Sequence, residues 1–112
     1  MALGMMEVYG FSTAIVVADT MAKAAEVEVV AIDKNKPAGG DSAAVPLVMA
    51  IKVEGSAAAV EASIAAGKVA AERRGLYITH KIIARQSEQI EWFARLDATG
   101  RDKLRNNKKT NK

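Results

Sequence analysis

The sequence predicts an α+β sandwich: a four-stranded antiparallel sheet with two main helices on one face and a short helix near the C-terminus. Three observations carry this. Apolar residues alternate in short segments with the period of a strand, other segments repeat at helical spacing, and their order is strand, helix, strand, strand, helix, strand. At 112 residues the chain is one domain, long enough for a core and small enough that oligomerisation would help it.

Leu3 and Met5 alternate with Gly4 and Met6 in a first strand that ends near Gly10. From Ser12, read as an N-cap, Ile15, Ala18, Ala22 and Ala25 recur at helical spacing, and Asp19 and Lys23 stand four apart as a favourable pair. A second strand, 27 to 34, is rich in β-branched residues, and 35 to 42 is turn chemistry with Pro37, Gly39 and Gly40. Leu47, Met49, Ile51 and Val53 line one face of a third strand, with Lys52 and Glu54 on the other. Gly55-Ser56 stops that strand and caps a second helix with the stripe Val60, Ile64, Gly67 and Ala71. Gly67 inside a helix costs about 1 kcal/mol relative to Ala, which marks it as a close approach of backbone to sheet. Gly75 ends the helix, 76 to 84 is the fourth strand, and Ile90, Trp92, Phe93 and Leu96 suggest a short amphipathic helix.

Composition narrows the function classes. Half the residues are apolar, but Ala dominates and only five are Phe, Tyr or Trp, which favours thin, closely packed layers over a deep pocket. The absence of Cys removes disulfides, thiolate metal sites and a cysteine nucleophile. There is no signal-peptide pattern and no apolar run near about 20 residues, so a cytoplasmic protein without a membrane partner is expected. The net charge of +3 is uneven: residues 101–112 hold six basic groups against Asp102, leaving 10 basic and 12 acidic side chains in the rest. The domain is therefore expected at 1–97, followed by a basic, disordered tail at 98–112. Without an aromatic residue among them to stack bases, the tail's charges do not make nucleic acid an expected partner.

Four strings, in order, resemble one family, the single-domain hexamer-forming shell proteins of bacterial microcompartments. Residues 2–11 (ALGMMEVYGF) are similar to its ALGMIE-x-x-G start, and residues 18–27 (ADTMAKAAEV) to its ADAMVKAA-x-V pattern. Residues 67–73 (GKVAAER) are similar to its small-residue helix, and residues 80–85 (HKIIAR) to its H-x-I-x-R edge strand. No single string would be convincing, but four across most of the chain are highly specific. The resemblance implies the ferredoxin-like sandwich of the BMC domain and a cyclic homohexamer that tiles into sheets in a microcompartment shell. It also implies a pore for small polar metabolites, no catalytic residues and no cofactor, with other shell proteins as partners and encapsulated enzymes as further candidates.

The loop after the second strand is where that family keeps a short glycine-rich pore loop, so the resemblance places Lys36, Gly39, Gly40 and Ser42 at the pore. Read alone, the two glycines make a weak phosphate cradle, because the spaced glycines and Gly-Lys-Ser/Thr of nucleotide loops are missing and a strand follows. The loop is several residues longer than the family's, with Pro37 and Pro46 stiffening its ends, which leaves open whether it narrows, caps or reshapes the opening. Lys23 and Arg85 match the family's residues at the edge between hexamers; without the family both read as solvated surface charges. Gln86-Ser87 stands where Pro-His usually follows the arginine, a departure that bears on lateral assembly and not on the fold. His80, the sole imidazole, reads as structural at a strand edge, since no carboxylates cluster with it as metal ligands. The alternative reading is a trimeric, PII-like ferredoxin-like regulatory protein whose Pro/Gly loop moves on binding a small effector. An RNA-binding α+β module rests only on the basic tail and lacks an aromatic strand signature.

Overall fold

The computed structural model describes residues 1–35 and 47–97. Its elements are β1 (Ala2–Tyr9), α1 (Phe11–Ala24), β2 (Val27–Asn35), β3 (Val48–Gly55), α2 (Ala57–Arg73) and β4 (Tyr77–Ile83). A 3-10 turn (Glu88–Ile90) and the one-turn helix α3 (Glu91–Ala94) follow. The strands pair antiparallel in the order β2-β3-β1-β4, so β1 and β3 are interior and β2 and β4 are edges. The expected α+β sandwich is present.

Strand periodicity fixes the two faces of the sheet. Gly4, Met6 and Val8 lie opposite Val53, Ile51 and Met49, and these pack with Val17, Met21, Val60 and Ile64 into the core beneath α1 and α2. The outer face takes the alternate residues Leu3, Met5 and Glu7 of β1 and Ala50, Lys52 and Glu54 of β3. Two shifts of register move side chains between faces in ways that a simple alternation does not show. In β2 the shift between Val29 and Ala31 sets Ile32 opposite Ile51 on the helix side and Asp33 opposite Ala50 on the outer side. Without it, Asp33 would share a face with Val27 and Val29. In β4, Thr79 faces Glu7 and Tyr77 faces Val8, leaving Ile78 as the extra residue.

The helix termini follow the sequence in part. The Ser56 hydroxyl accepts from the Ala59 amide at 3.1 Å and caps α2, as expected. Gly75, at φ 70°, donates its amide to the Glu72 carbonyl at 2.9 Å and ends that helix, also as expected. The expectation for Ser12 is corrected: α1 starts after Gly10, whose carbonyl accepts from the Ala14 amide at 3.2 Å, with no side-chain cap. Gly10 sits at φ 88°, a backbone conformation that a residue with a Cβ rarely adopts, so the chain turns there and Ser12 falls inside the helix.

The expected stripe of α1 is corrected as well. The buried residues are Thr13, Ala14, Val17, Ala18 and Met21, while Ile15 and Ala22 face away from the sheet. Gly67 does mark a close approach, but to α1 and not to the sheet: a Cβ there would lie 2.7 Å from Met21 Cγ and 3.3 Å from Val17 Cγ1. The sheet's own close approach is at Gly4, where a Cβ would lie 2.7 Å from Val60 Cγ1 and 3.0 Å from Ile64 Cγ1.

Candidate functional site

The loop residues Lys36, Gly39, Gly40 and Ser42 lie outside the described residues, as does the basic tail from 98. What is fixed is the frame around the loop. Asn35 pairs with Val48 at the end of the β2–β3 ladder, and the Gly10 amide donates to the Leu47 carbonyl at 2.8 Å. The chain thus leaves and re-enters the sheet from adjacent strands beside the start of α1.

Lys23 is in the last turn of α1, exposed, with its ammonium 2.8 Å from Asp19. This is the expected pair four residues apart; both partners are exposed, so it is worth about 0.3–0.5 kcal/mol. Arg85 is exposed just beyond β4. The two sit on different elements, each presented to solvent. Gln86, next to Arg85, is buried instead, with its side-chain amide hydrogen-bonded to the Glu54 carboxylate. Ser87 accepts from the Gln89 amide at 3.1 Å and caps the 3-10 turn. Gln86 therefore fastens the C-terminal segment to this chain's own sheet, while Ser87 starts the turn that follows.

His80 is exposed on β4, and its Nδ1 lies 2.7 Å from the Tyr77 hydroxyl. The Tyr77 ring in turn lies under the Lys68 ammonium of α2, 5.4 Å from its centroid. No group of three or more His, Cys, Asp or Glu suited to a metal occurs among the described residues. No helix among them is long and apolar enough to cross a membrane.

Sequence reasoning missed the role of Lys52 and Glu54. Both are on the outer face of β3, as the alternation predicts, but they are only 1% and 3% exposed. Lys52 donates to the carbonyls of Phe93 at 2.8 Å and Leu96 at 3.3 Å, lies 3.6 Å from the Asp33 carboxylate, and sits 4.2 Å from the centroid of the Phe93 ring. Glu54 accepts from Arg95 at 2.8 and 3.3 Å as well as from Gln86. The available signal was position: β3 is an interior strand, and the apolar 90–96 segment had to lie on something. Beside this cluster an open groove of about 590 Å³ crosses the outer face, with Met5, Ala50 and Phe93 along it and Glu7, Asp33 and Lys81 among its polar groups.

Burial holds the Lys52 ammonium below its ordinary value of 10.5, partly offset by the nearby Asp33 and Asp97 carboxylates. A lysine whose folded value is depressed binds its proton more weakly in the folded than in the unfolded chain. Its contribution to stability therefore rises with pH between the lowered value and 10.5. The melting temperature of the wild type relative to Lys52→Met is expected to rise over that window. A constant difference from neutral pH to above 10.5 would contradict it.

Outward from the sheet, α1 presents a second apolar face. Phe11 and Ile15 are 49% and 44% exposed, one helical turn apart, with Val16 beside them and Val69 exposed on α2. A helix that is apolar on both sides is normally covered on both.

Comparison with known proteins agrees with the resemblance read from the sequence. A family model described as the BMC domain matches residues 2–86. The bacterial microcompartment shell protein PduK of Citrobacter freundii is 38% identical over 88 residues, covering 79% of this chain and 51% of PduK. The carboxysome shell protein CcmK2 of Synechococcus elongatus is 37% identical over 93 residues, covering 81% of this chain and 82% of CcmK2. The solved structure of a microcompartment protein from Desulfitobacterium hafniense matches with a TM-score of 0.67 and 31% identity, over 81% of this chain and 47% of that one. The chain spans about half the length of the first relatives it matches, PduK among them.

Proposed function

The chain belongs to the BMC domain family, and from that premise we propose that it is a structural, non-enzymatic shell protein of a bacterial microcompartment that assembles as a cyclic hexamer. The observation that carries the assembly is the second apolar face of α1. Phe11, Ile15 and Val16 have no core to enter among the described residues, and a cyclic ring joins two different surfaces of each copy, so such a face is buried once per subunit. Relatives that are microcompartment and carboxysome shell proteins support the same reading. A trimeric regulatory protein is not favoured, because the family match and the relatives are shell proteins.

In this reading the 36–46 loops meet at the ring's axis. Lys36, Gly39, Gly40 and Ser42 line the opening, where small residues and backbone amides leave room for hydrated, polar metabolites. The frame supports this placement: Asn35 and Val48 set the loop at one end of the sheet, beside the start of the apolar α1 face. Lys23 and Arg85 lie at the outer edge and join hexamers into sheets. Their exposure and their position on separate elements suit contacts between copies.

Electron microscopy of overexpressed protein tests the edge assignment. Wild type is expected to form sheets and Arg85→Ala to form hexamers without sheets, since a contact of about 0.5 kcal/mol repeated on six sides decides lateral assembly. Rising salt is expected to weaken the wild-type sheets, as exposed charges are screened beyond roughly 8 Å at physiological ionic strength. Identical sheets from both proteins would remove Arg85 from the seam.

A further inference from the structure

We propose that residues 86–97 form a strap, latched by charge to the outer face of the sheet, that opens as a unit while the strands and main helices stay folded. The latch fixes the place from which the chain continues beyond Asp97.

The strap has little of its own to hold it. It consists of a 3-10 turn and a single turn of α3, too short to persist without tertiary contacts. Its apolar side chains are poorly covered: Ala94 is buried and Phe93 half-buried, but Trp92 is 66% exposed and Leu96 is also exposed. What fastens it is polar. At one end Gln86 donates its backbone amide to the Met1 carbonyl at 3.1 Å and its side-chain amide to Glu54. At the other, Arg95 meets Glu54, while Lys52 reaches the carbonyls of Phe93 and Leu96.

Both anchoring charges project from β3, which has a strand on each side, so they remain in place when the strap leaves. A segment held mainly by a few charge-assisted hydrogen bonds, with Ala94 and the underlying Leu3 as its fully buried apolar groups, opens at a lower free energy than the core. The site also contains a weak point: the Gln86 side-chain oxygen is buried with no hydrogen-bond partner among the described residues. Opening would uncover Leu3, which lies between Glu54 and Ile83 in the sheet register and is fully buried. It would also remove Phe93 from the groove.

Hydrogen exchange read by mass spectrometry on the full chain tests the latch, with Trp92, the sole tryptophan, as a second reporter. In the wild type, amides of 86–97 are expected to exchange faster than those of β1 and β3 yet slower than an unstructured peptide. Arg95→Met removes one side of the Glu54 pair from a half-exposed position, and strap exchange should rise about tenfold or more. Exchange in β1 and β3 should stay unchanged, and acrylamide should quench Trp92 more strongly. Lys52→Met should free the strap in the same way from its other anchor. The proposal is overturned if strap amides of the wild type exchange as in an unstructured peptide, or if neither variant changes strap exchange. It is equally overturned if β1 and β3 accelerate in step with the strap, since the segment would then be part of the core.

Discussion

Changing both Phe11 and Ile15 to Asp is expected to convert the ring into folded monomers. Phe11 and Ile15 are about half covered already, so burying the rest at a seam would gain about 1 kcal/mol each, and each aspartate in its place would bring an unpaired carboxylate into a dry contact. The change is repeated at every interface of a closed ring, so the loss at one seam is multiplied around the assembly. The monomer's core should survive, because both positions face away from the buried residues Thr13, Ala14, Val17, Ala18 and Met21. Circular dichroism would confirm the retained helices and strands, and the mass in solution would report the ring. An unchanged mass would mean that the outer face of α1 is not at the seam.

Gly4→Val is expected to lower stability by about 3 kcal/mol, at the upper end of what overpacking a core costs. The added Cβ would meet Val60 Cγ1 at 2.7 Å and Ile64 Cγ1 and Cδ1 at 3.0 and 3.1 Å. Val60 and Ile64 are β-branched and held to one rotamer in a helix, so α2 itself would have to lift from the sheet. Gly67→Ala makes the useful contrast. Its Cβ would come as near to Met21 Cγ and Sδ, at 2.7 and 2.9 Å, with Val17 Cγ1 at 3.3 Å. Met21 is buried but unbranched and must shift, a cost that offsets the gain of about 1 kcal/mol to the helix from losing a glycine. A melting temperature lowered by Gly4→Val and little moved by Gly67→Ala would confirm the difference. Equal effects would show that the two helices yield as easily as a methionine side chain.

These positions also show which features could be read in the sequence. Alternation in 3–8 and 47–54 gave the strands and their faces, and Ser56 and Gly75 gave both ends of α2, because these signals are local. The stripe of α1 was misassigned because an alanine-rich helix with two apolar faces satisfies the period in more than one phase, and only the sheet decides which phase is buried. Gly67 was correctly singled out but given the wrong neighbour, since a missing Cβ says that something comes close and not what.

The rest depended on contacts distant in sequence. Lys52 and Glu54 alternate as solvent-facing charges should, and nothing nearby announces that a segment about 40 residues later will cover them. The register shift in β2 that brings Asp33 to the same face as Lys52 carries no local signal, because no Gly or Pro marks the 29–31 stretch. Of the candidate site residues, Lys23 and Arg85 are exposed as an edge role requires, whereas the four loop residues lie outside the described residues.

Mass in solution distinguishes a closed ring of six from every smaller assembly. Native mass spectrometry of the wild-type chain at micromolar concentration is expected to give one species at six times the 11.9 kDa chain. A single species of one or three chains under the same conditions would contradict the account.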